Sequence, residues 1–256
     1  MRYADLHTHT HLSFDSEADL IENCRAAREA GLSAIAVTNH FDFDGILQGI
    51  YPSFLPHKDR AEIERAREAF PDLTILHGIE MGQAYAYAEL IPLLRRAHGL
   101  DYLLASVHNL EGYPDFCFLR YEEMSTEHCV LLLRRYFADL ARVAALPGIT
   151  TLAHLTYPLR YMTRAGKRID LLRFENEIRA VFHVLIENGV RLEVNTSGLR
   201  QGMNATMPDF SLVALYRDCG GRAVAVGSDA HLPMHVGAGV IEITDRLRQM
   251  GMELPF

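Results

Sequence analysis

Residues 34–40 read Ala34-Ile35-Ala36-Val37-Thr38-Asn39-His40, an apolar run that ends in polar side chains and a histidine. A short, continuous apolar run is typical of a strand that is buried on both faces of a parallel sheet. The same arrangement recurs at Ser106-Val107-His108 and at Ala153-His154. Because the carboxyl ends of parallel strands lie on one side of such a fold, this recurrence predicts that the histidines meet there.

Seven apolar runs of this kind alternate with longer segments of helical spacing, a pattern typical of a parallel α/β sheet. The predicted strands cover 2–7, 33–38, 73–80, 101–107, 149–154, 190–195 and 222–228. The predicted helices include 17–30, 58–70, 122–145, 171–188 and 210–219. Glycine follows three of these helices, at Gly31, Gly189 and Gly220, where a left-handed terminal residue is needed.

We therefore expect an α/β fold, a distorted (β/α)7 TIM-like barrel in a single domain over 1–256, because barrels of this size fold as one unit. An open, doubly wound sheet is the alternative, since periodicity does not show closure. Two long segments, 41–57 and 109–121, follow histidines at strand ends. Both would overhang the same rim and shape access to a site there.

The composition is that of a globular protein, with 49% hydrophobic and 23% charged residues and a formal net charge of -8. No run of Lys and Arg resembles a nucleic-acid arm, so long DNA or RNA is not an expected partner. There is neither a signal-peptide pattern nor a sufficiently long apolar run, so we expect no membrane contact and a cytoplasmic location. The four dispersed cysteines indicate no thiolate zinc site. The oligomeric state cannot be read from this sequence.

Six of the seven predicted strand ends carry side chains of the types that bind divalent metal ions. These are His7, His9, His40, Glu80, His108, His154, Asp229 and His231. Each of these residues could instead have an ordinary structural role, such as a salt bridge or a capped turn. Such a role would have to apply at all six strand ends at once, so the joint pattern favours metal binding. Imidazole and carboxylate without thiolate favour catalytic zinc, iron or manganese.

The first of these stretches is Asp5-Leu6-His7-Thr8-His9, in which two histidines are separated by one residue. In an extended segment this spacing places both rings on the same side, where they can chelate one ion. We expect Asp5 to accept a hydrogen bond from one of these rings and so to fix its tautomer.

Five stretches together resemble the polymerase and histidinol phosphatase (PHP) superfamily. They are Asp5-Leu6-His7-Thr8-His9, Thr38-Asn39-His40, Gly78-Ile79-Glu80, Ser106-Val107-His108 and Gly227-Ser228-Asp229-Ala230-His231. Their order matches over almost the whole chain. Within the superfamily, the chain length and the segment 195–200 are most similar to the monofunctional histidinol-phosphate phosphatases.

The resemblance implies a distorted seven-stranded barrel that holds three divalent ions, with zinc, iron or manganese as candidates. The implied ligands are His7, His9, Glu80 and Asp229 for one ion, Glu80, His108 and His154 for a second, and Asp15, His40 and His231 for a third. Asp15 is implied by the resemblance alone. Many relatives have aspartate at the position of Asn39, so this chain lacks a charge beside His40.

The implied reaction is hydrolysis of a small phosphomonoester, L-histidinol phosphate above all, by a hydroxide that bridges two ions. Glu80 would bridge those ions, and either Asp15 or His231 would protonate the leaving group. Arg160 and Arg200 are candidates for binding the phosphate, because each lies a few residues beyond a strand end. The alternative for both arginines is a surface salt bridge.

Three other functions stay open. A PHP phosphoesterase that acts on nucleotides or oligonucleotide ends would use the same ligands. A metal-dependent amidohydrolase would be expected to show a carboxylated lysine or a different spacing. A non-catalytic, metal-binding regulatory module would have no activity. Serine-nucleophile chemistry and nucleotide binding by a Walker loop are not indicated, since neither motif is present.

Overall fold

A computed structural model describes residues 1–50 and 56–256. Seven parallel strands pair in sequence order to form one sheet. They are β1 Ala4–Thr8, β2 Ala34–Asp42, β3 Thr74–Gly82, β4 Tyr102–Ser106, β5 Thr151–Leu152, β6 Arg191–Asn195 and β7 Val224–Gly227. All seven predicted strands are present, although their ends differ from the predicted ones.

The sheet closes on itself between β7 and β1. Thr8 forms a parallel bridge with Ala230. The backbone N–H of Asp229 donates to the carbonyl of His7 at 2.8 Å, and the N–H of His9 donates to the carbonyl of Ala230 at 2.8 Å. The fold is therefore the predicted (β/α)7 barrel, nearly closed, and the alternative of an open doubly wound sheet is wrong.

Helices connect the strands and pack around the barrel. They are α1 Leu20–Glu29, α2 Phe43–Leu47, α3 Pro56–Ala69, α4 Ile91–His98, α5 Thr126–Ala144, α6 Tyr157–Arg164, α7 Glu175–Asn188, α8 Ser197–Arg200, α9 Phe210–Asp218 and α10 Val240–Gln249. Asp19 caps the start of α1, where its carboxylate accepts hydrogen bonds from the backbone N–H groups of Ile21 and Glu22. Gly189 caps the end of α7 with a φ of 64°. The predicted helix 171–188 is a 3-10 turn followed by α7, and α2, α4, α6, α8 and α10 were not assigned from sequence.

Side chains alternate between two apolar layers along the strands, as the two-residue period of a strand requires. Ala34 and Ala36 face the barrel interior, where Ala4, Leu6 and Leu104 also pack. Ile35 and Val37 face outward and join the large core beneath the helices. Small residues in the interior leave room for the polar cluster that lies above them.

Two strands continue beyond their predicted ends. β2 runs to Asp42 and β3 runs to Gly82, and their register pairs His40 directly with Glu80. The hydrophobic pattern predicted that both strands would end earlier, because their last side chains are polar. The backbone hydrogen bonds nevertheless continue, so these polar residues occupy regular strand positions. β5 is shorter than predicted, with only Thr151–Leu152 in strand pairing.

An irregularity in β1 changes which side chains face the interior. The register between β1 and β2 shifts between Asp5 and Thr8. Leu6 packs in the interior, and the next residue, His7, is also fully buried on the side of the polar cluster. A break of this kind re-aims a side chain that strict alternation would turn away.

The two long predicted loops are more structured than expected. The segment 41–57 begins with the end of β2 and continues into α2, and its residues 51–55 lie outside the described residues. The segment 109–121 contains the 3-10 turn Phe116–Phe118. None of the helices in 1–50 and 56–256 has the length and apolarity needed to cross a bilayer.

Candidate metal centre

The predicted ligands converge at the carboxyl ends of the strands. His7, His9, His40, Glu80, His108, His154, Asp229 and His231 contribute donor atoms to four groups of three, and within each group the atoms lie within 4.8 Å of one another. The groups share members, so they form one continuous cluster. Residues more than two hundred positions apart in the chain therefore meet at one mouth of the barrel.

Glu80 lies at the centre of this cluster. Its Oε1 is 3.0 Å from His108 Nε2 and 2.9 Å from His154 Nε2. Its Oε2 is 3.1 Å from His7 Nε2 and 3.2 Å from His40 Nδ1. Each carboxylate oxygen thus faces two imidazoles, which is the arrangement a bridging carboxylate requires.

Asp229 and Asp15 extend the cluster on two sides. Asp229 Oδ1 lies 3.5 Å from His9 Nε2 and 3.5 Å from His231 Nδ1. Asp15 Oδ2 lies 3.1 Å from His231 Nε2 and 3.5 Å from His40 Nε2. The third predicted set is therefore assembled, although the compact group around His40 and His231 contains His9 rather than Asp15.

Three side chains outside the predicted set orient the imidazoles. His7 Nδ1 donates to Glu193 Oε1 at 2.7 Å. His108 Nδ1 donates to Asp42 Oδ1 at 2.8 Å, and His9 Nδ1 lies 2.9 Å from Ser13 Oγ. These contacts leave each Nε2 facing the cluster, as metal-binding histidines require. Sequence reasoning missed all three residues.

The expected role of Asp5 is wrong. Its Oδ1 accepts from the backbone N–H of Ser228 at 2.8 Å, and its Oδ2 accepts from that of Gly237 at 2.8 Å. Asp5 therefore holds backbone near β7 and not a histidine ring. Glu193 takes the expected role, and the signal for it was a carboxylate between Leu192 and Val194, since a charge inside a buried strand needs a partner.

Glycine at position 227 makes the Glu193 contact possible. A Cβ added to Gly227 would lie 2.3 Å from Glu193 Oε1 and 2.4 Å from the Cβ of His7. Real Cβ atoms do not come this close to other atoms. The backbone of β7 therefore approaches the His7–Glu193 pair as only glycine allows.

Two predicted ligands lie at unusual backbone positions. His154 has a φ of 21° and Asp229 a φ of 55°. Positive φ is uncommon for residues other than glycine, and its conformational strain is found most often at functional sites. Each of these two residues lies just beyond the end of a strand, β5 or β7, in a loop that carries cluster side chains.

Burial and mutual charge shift the pKa values of the cluster. Burial lowers the pKa of His9 to about 3, and His231 and His40 act in the same direction. Burial would also lower the pKa of His40, but Glu80 and Asp15 raise it to about 9. Burial opposes ionisation of Glu80, yet the surrounding imidazoles, His7 first, hold its pKa well below the usual range.

The donor set fits divalent cations. The Nε2 atoms of His7 and His9 are 3.1 Å apart while their Nδ1 atoms contact Glu193 and Ser13. Two imidazole lone pairs at this distance repel each other unless a proton or a cation lies between them. His40 Nδ1 also lies close to Glu80 Oε2 without hydrogen-bond geometry. Bound cations would satisfy both arrangements and displace protons from the imidazoles.

A cavity of about 280 Å³ opens onto the cluster. The segment 109–121 contributes Asp115, Cys117 and Phe118 to its wall, as predicted for an overhanging loop. None of the described residues of 41–57 lines the cavity, and because residues 51–55 lie outside the described residues, the role of this segment stays a prediction. The volume suits a small molecule or the end of a longer one.

The two predicted arginines differ in position. Arg160, on α6, lines the cavity, and its Nη1 lies 3.9 Å from Asp229 Oδ2. It also hydrogen bonds to Gln201 and, at 2.6 Å, to the hydroxyl of Tyr161. Arg200, at the end of α8, donates to the backbone carbonyl of Asp229 at 2.9 Å and is not among the lining residues.

Comparison with known families gives a match between residues 5–197 and the model of the PHP domain. The chain belongs to the PHP domain family. The match ends before Asp229 and His231, so the family model covers β1 to β6. The fold brings the last two members of the cluster to the PHP-type site from β7.

Two relatives match this PHP protein over most of its length and most of their own. It is 27% identical to a "Probable histidinol-phosphatase" of Thermotoga maritima, over 97% of this chain and 93% of the relative. It is 26% identical to a "Histidinol-phosphatase" of Lactococcus lactis subsp. lactis, over 91% of this chain and 85% of the relative.

A solved structure has the same fold as this PHP chain. It is a histidinol phosphate phosphatase from Lactococcus lactis subsp. lactis, crystallised with zinc, L-histidinol and phosphate. The two structures superpose with a TM-score of 0.79 over 99% of this chain and 95% of the other, at 19% sequence identity. This likeness shows that the two chains share the distorted barrel.

Proposed function

We propose that this protein is a metal-dependent phosphomonoesterase that hydrolyses L-histidinol phosphate to L-histidinol and phosphate. One observation carries the proposal: buried and partly buried imidazoles and carboxylates form one cluster at the floor of a small cavity that a guanidinium also lines. We propose that the cluster holds three divalent ions, with zinc, iron and manganese as candidates, and that residues 1–256 form one PHP-type metallophosphoesterase domain.

The cluster residues have distinct proposed roles. His7, His9, Glu80 and Asp229 would hold one ion, Glu80, His108 and His154 a second, and Asp15, His40 and His231 a third. Such ions lower the pKa of water and neutralise charge on phosphoryl oxygens. Asp15 and His231 both line the cavity, so each is placed to pass a proton to the departing alkoxide.

The position of Arg160 favours it over Arg200 as the residue that binds the phosphate. It lines the cavity, and its buried Nε has no hydrogen-bond partner among the described residues. Its guanidinium also lies 4.8 Å from the ring centroids of Tyr157 and Tyr161, which hold its plane in place. A fixed, planar donor suits an incoming phosphoryl group. Arg200 would act through the backbone of Asp229.

Asp115 favours a leaving group with positive charge. Among the described residues that line the cavity, it is the one carboxylate that takes no part in the cluster. Its Oδ1 accepts from the backbone N–H of Cys117 at 2.7 Å and from the hydroxyl of Tyr157 at 3.1 Å, which fixes it at the cavity wall. The exposed rings of Phe14 and Phe118 line the same cavity. A carboxylate beside aromatic rings suits the ammonium and imidazole of L-histidinol.

The names of the relatives support this proposal, since those compared above are histidinol-phosphatases. They also argue against a regulatory module without activity. A PHP phosphoesterase acting on nucleotides or oligonucleotide ends is the remaining alternative, and Asp115 disfavours it because a nucleoside leaving group has no cationic centre. A cytoplasmic location stays a prediction.

A substrate panel with the metal-loaded protein tests the proposal. We expect kcat/KM for L-histidinol phosphate to exceed that for nucleoside monophosphates and p-nitrophenyl phosphate, with zinc, iron and manganese compared in parallel. Activity on none of these esters would refute phosphomonoesterase function, and a preference for nucleotides would refute the assigned substrate.

The Asp115→Asn variant tests the leaving-group argument. It should raise KM for L-histidinol phosphate by roughly tenfold, the effect of losing one charge-assisted hydrogen bond. Hydrolysis of p-nitrophenyl phosphate should be nearly unchanged, because that ester has no cationic group. Asp139→Asn, on the outer helix α5, is the matched control. Equal losses on both esters would show that Asp115 acts on the loop and not on the substrate.

A further inference from the structure

Ser13 hydrogen bonds to both sides of the cluster. Its Oγ lies 2.9 Å from His9 Nδ1, and it accepts from the backbone N–H of His40 at 3.1 Å. The same Oγ lies 2.9 Å from Asn39 Oδ1. A serine hydroxyl has one proton to donate and two lone pairs to accept with. The three neighbours therefore use the whole bonding capacity of Ser13, and its single proton can point to only one of them.

Asn39 determines where that proton points. The backbone N–H of Thr10 donates to Asn39 Oδ1 at 2.7 Å. Asn39 Nδ2 donates to Asp59 Oδ1 at 2.8 Å. The reversed amide would place Nδ2 against the N–H of Thr10, and because a backbone N–H can only donate, this contact fixes the orientation of the amide. Asn39 Oδ1 is thus an acceptor, and Ser13 must donate to it.

The tautomer of His9 follows from this direction. Since the Ser13 proton goes to Asn39, Ser13 can only accept from His9 Nδ1. His9 then carries its proton on Nδ1, and its Nε2 presents a lone pair to the cluster. His9, Asn39, Ser13 and Asp59 are all at most 3% exposed, so water does not compete for these bonds.

We infer that Asp59, Asn39 and Ser13 form a hydrogen-bond relay that holds His9 in its metal-binding tautomer. Asp59 and Asn39 are positioning residues, which act through Ser13 and touch neither substrate nor ion. The inference rests on the proposed function, because it gives His9 the role of a metal ligand. It also assigns a purpose to the buried carboxylate of Asp59, which lies outside the cluster and is 1% exposed.

The relay explains why asparagine at position 39 and aspartate at position 59 belong together. An aspartate at position 39 would place two carboxyl groups at the 2.8 Å separation now spanned by the hydrogen bond. The two groups would share a proton, so residue 39 would no longer be held as an acceptor toward Ser13. Exchanging the two residues would restore one amide and one carboxylate. The carboxylate, now at position 39, would still accept from Thr10 and Ser13, and the amide, now at position 59, would donate to it. The pair therefore has a reciprocal test.

The direct test is the ¹⁵N spectrum of the histidine rings in the metal-free, unsubstituted protein. Long-range ¹H–¹⁵N correlations should show His9 protonated at Nδ1 and not at Nε2. Because no ion and no substrate are present, this result does not depend on the enzymatic proposal. A spectrum in which Nε2 carries the proton would overturn the inference, whatever the activity of the protein.

The second test uses zinc affinity, measured by competition with a chelator. Ser13→Ala should weaken the tightest zinc site by about 10- to 100-fold, as loss of a hydrogen-bond partner of a metal-binding histidine does, and should leave a mixture of His9 tautomers. Ser33→Ala is the matched control, since Ser33 Oγ donates to the carbonyl of Tyr3, away from the cluster. Equal zinc affinity in the two variants would refute the role of Ser13.

The reciprocal exchange tests Asp59. Asn39→Asp should weaken zinc binding about tenfold, Asp59→Asn should leave it unchanged, and the double variant should recover to within about threefold of the parent. A double variant no better than Asn39→Asp would refute the orienting role of Asp59. If the relay holds but no phosphatase activity is found, the proposed function fails while the tautomer assignment stands.

Discussion

At the scale of single residues, Glu80 has the largest number of contacts with the cluster. Its two oxygens face His7, His40, His108 and His154 at distances of 2.9 to 3.2 Å. The side chain is fully buried. Burial alone would raise its pKa, but the surrounding imidazoles, chiefly His7, hold that pKa well below the usual range. An ionised, buried carboxylate among imidazoles is stable only with cationic partners. Its charge is therefore central to how the cluster holds ions.

Replacing Glu80 with Gln tests this directly. The variant keeps the shape of the side chain but loses the charge and one acceptor oxygen. We expect kcat/KM on L-histidinol phosphate to fall at least about 100-fold and the metal content to drop, since even indirect partners of metal ligands cost 10- to 100-fold. Metal analysis and kinetics provide the measurement, with Glu187→Gln on the exposed face of α7 as control. Near-normal turnover with full metal content would show that Glu80 is not a ligand.

At the scale of elements, β6 has a supporting role. It provides no member of the ligand groups, but Glu193 on β6 accepts from His7 Nδ1 at 2.7 Å and from the backbone N–H of His154 at 2.7 Å. One carboxylate thus connects β1, β5 and β6 beneath the cluster. Neighbouring strands of a barrel bring such partners together without any local sequence pattern.

Glu193→Gln should weaken metal binding at the His7 site without removing a ligand. A glutamine can place its amide NH2 against His7 Nδ1, which favours the wrong tautomer. We expect zinc affinity to fall by about 10- to 100-fold and kcat at saturating zinc to fall much less. Chelator competition and zinc-dependent kinetics separate the two effects. An unchanged zinc affinity would contradict the assigned contact.

Helix α3 contributes a buried carboxyl with an unusual pKa. Burial raises the pKa of Asp59 to about 8, while the hydrogen bond from Asn39 opposes the shift. The folded protein therefore keeps a proton that the unfolded chain releases near pH 4. Because the folded state binds this proton more tightly, the contribution of Asp59 to the stability of the fold is largest below pH 4 and is lost as the pH rises to about 8.

Asp59→Asn should remove this dependence. Relative to the parent, the metal-free variant should gain stability as the pH rises from about 4 to 8, by on the order of 5 kcal/mol at the upper end. Above pH 8 the difference should become constant. Thermal denaturation of both proteins across this range measures the effect. A difference that does not change with pH would show that Asp59 is ionised throughout.

At the scale of the whole molecule, the cluster joins both ends of the sheet. His7 on β1 and Asp229 after β7 belong to one group of donors, and their backbones are also hydrogen bonded where the barrel closes. Ions bound there would connect all strands that carry ligands. Since a site with ligands from so many strands is absent from the unfolded chain, binding would stabilise the folded state as a whole.

Zinc should therefore raise the melting temperature of the metal-free protein. At free zinc about 100-fold above the dissociation constant of a single site, the expected gain is about 2.7 kcal/mol, or roughly 5 to 10 °C for a chain of this length. Calorimetry with and without a chelator measures it. The Glu80→Gln variant should show a smaller shift. An identical shift in both proteins would place the stabilising ions elsewhere.

The sequence by itself determined the α/β class, the seven strands and the positions of the imidazoles and carboxylates at the strand ends, and it favoured a barrel, whose closure only the structure shows. Apolar runs that end in His40, His108 or His154 are local patterns, so they can be read from neighbouring residues. The resemblance to PHP proteins added Asp15, which spacing alone did not indicate. Strand ends were less well predicted, because β2 and β3 continue through polar residues on backbone hydrogen bonds that hydrophobicity does not report.

Only the tertiary structure decided which residues orient the histidines and line the cavity. Glu193 meets His7 across 186 positions of the chain, and Asp59 reaches Asn39 from a separate helix. Asp115 enters the cavity through the fold of its loop. The physical reason is that a hydrogen bond between side chains depends on distance and direction in space, whereas periodicity reports only burial and the face of an element.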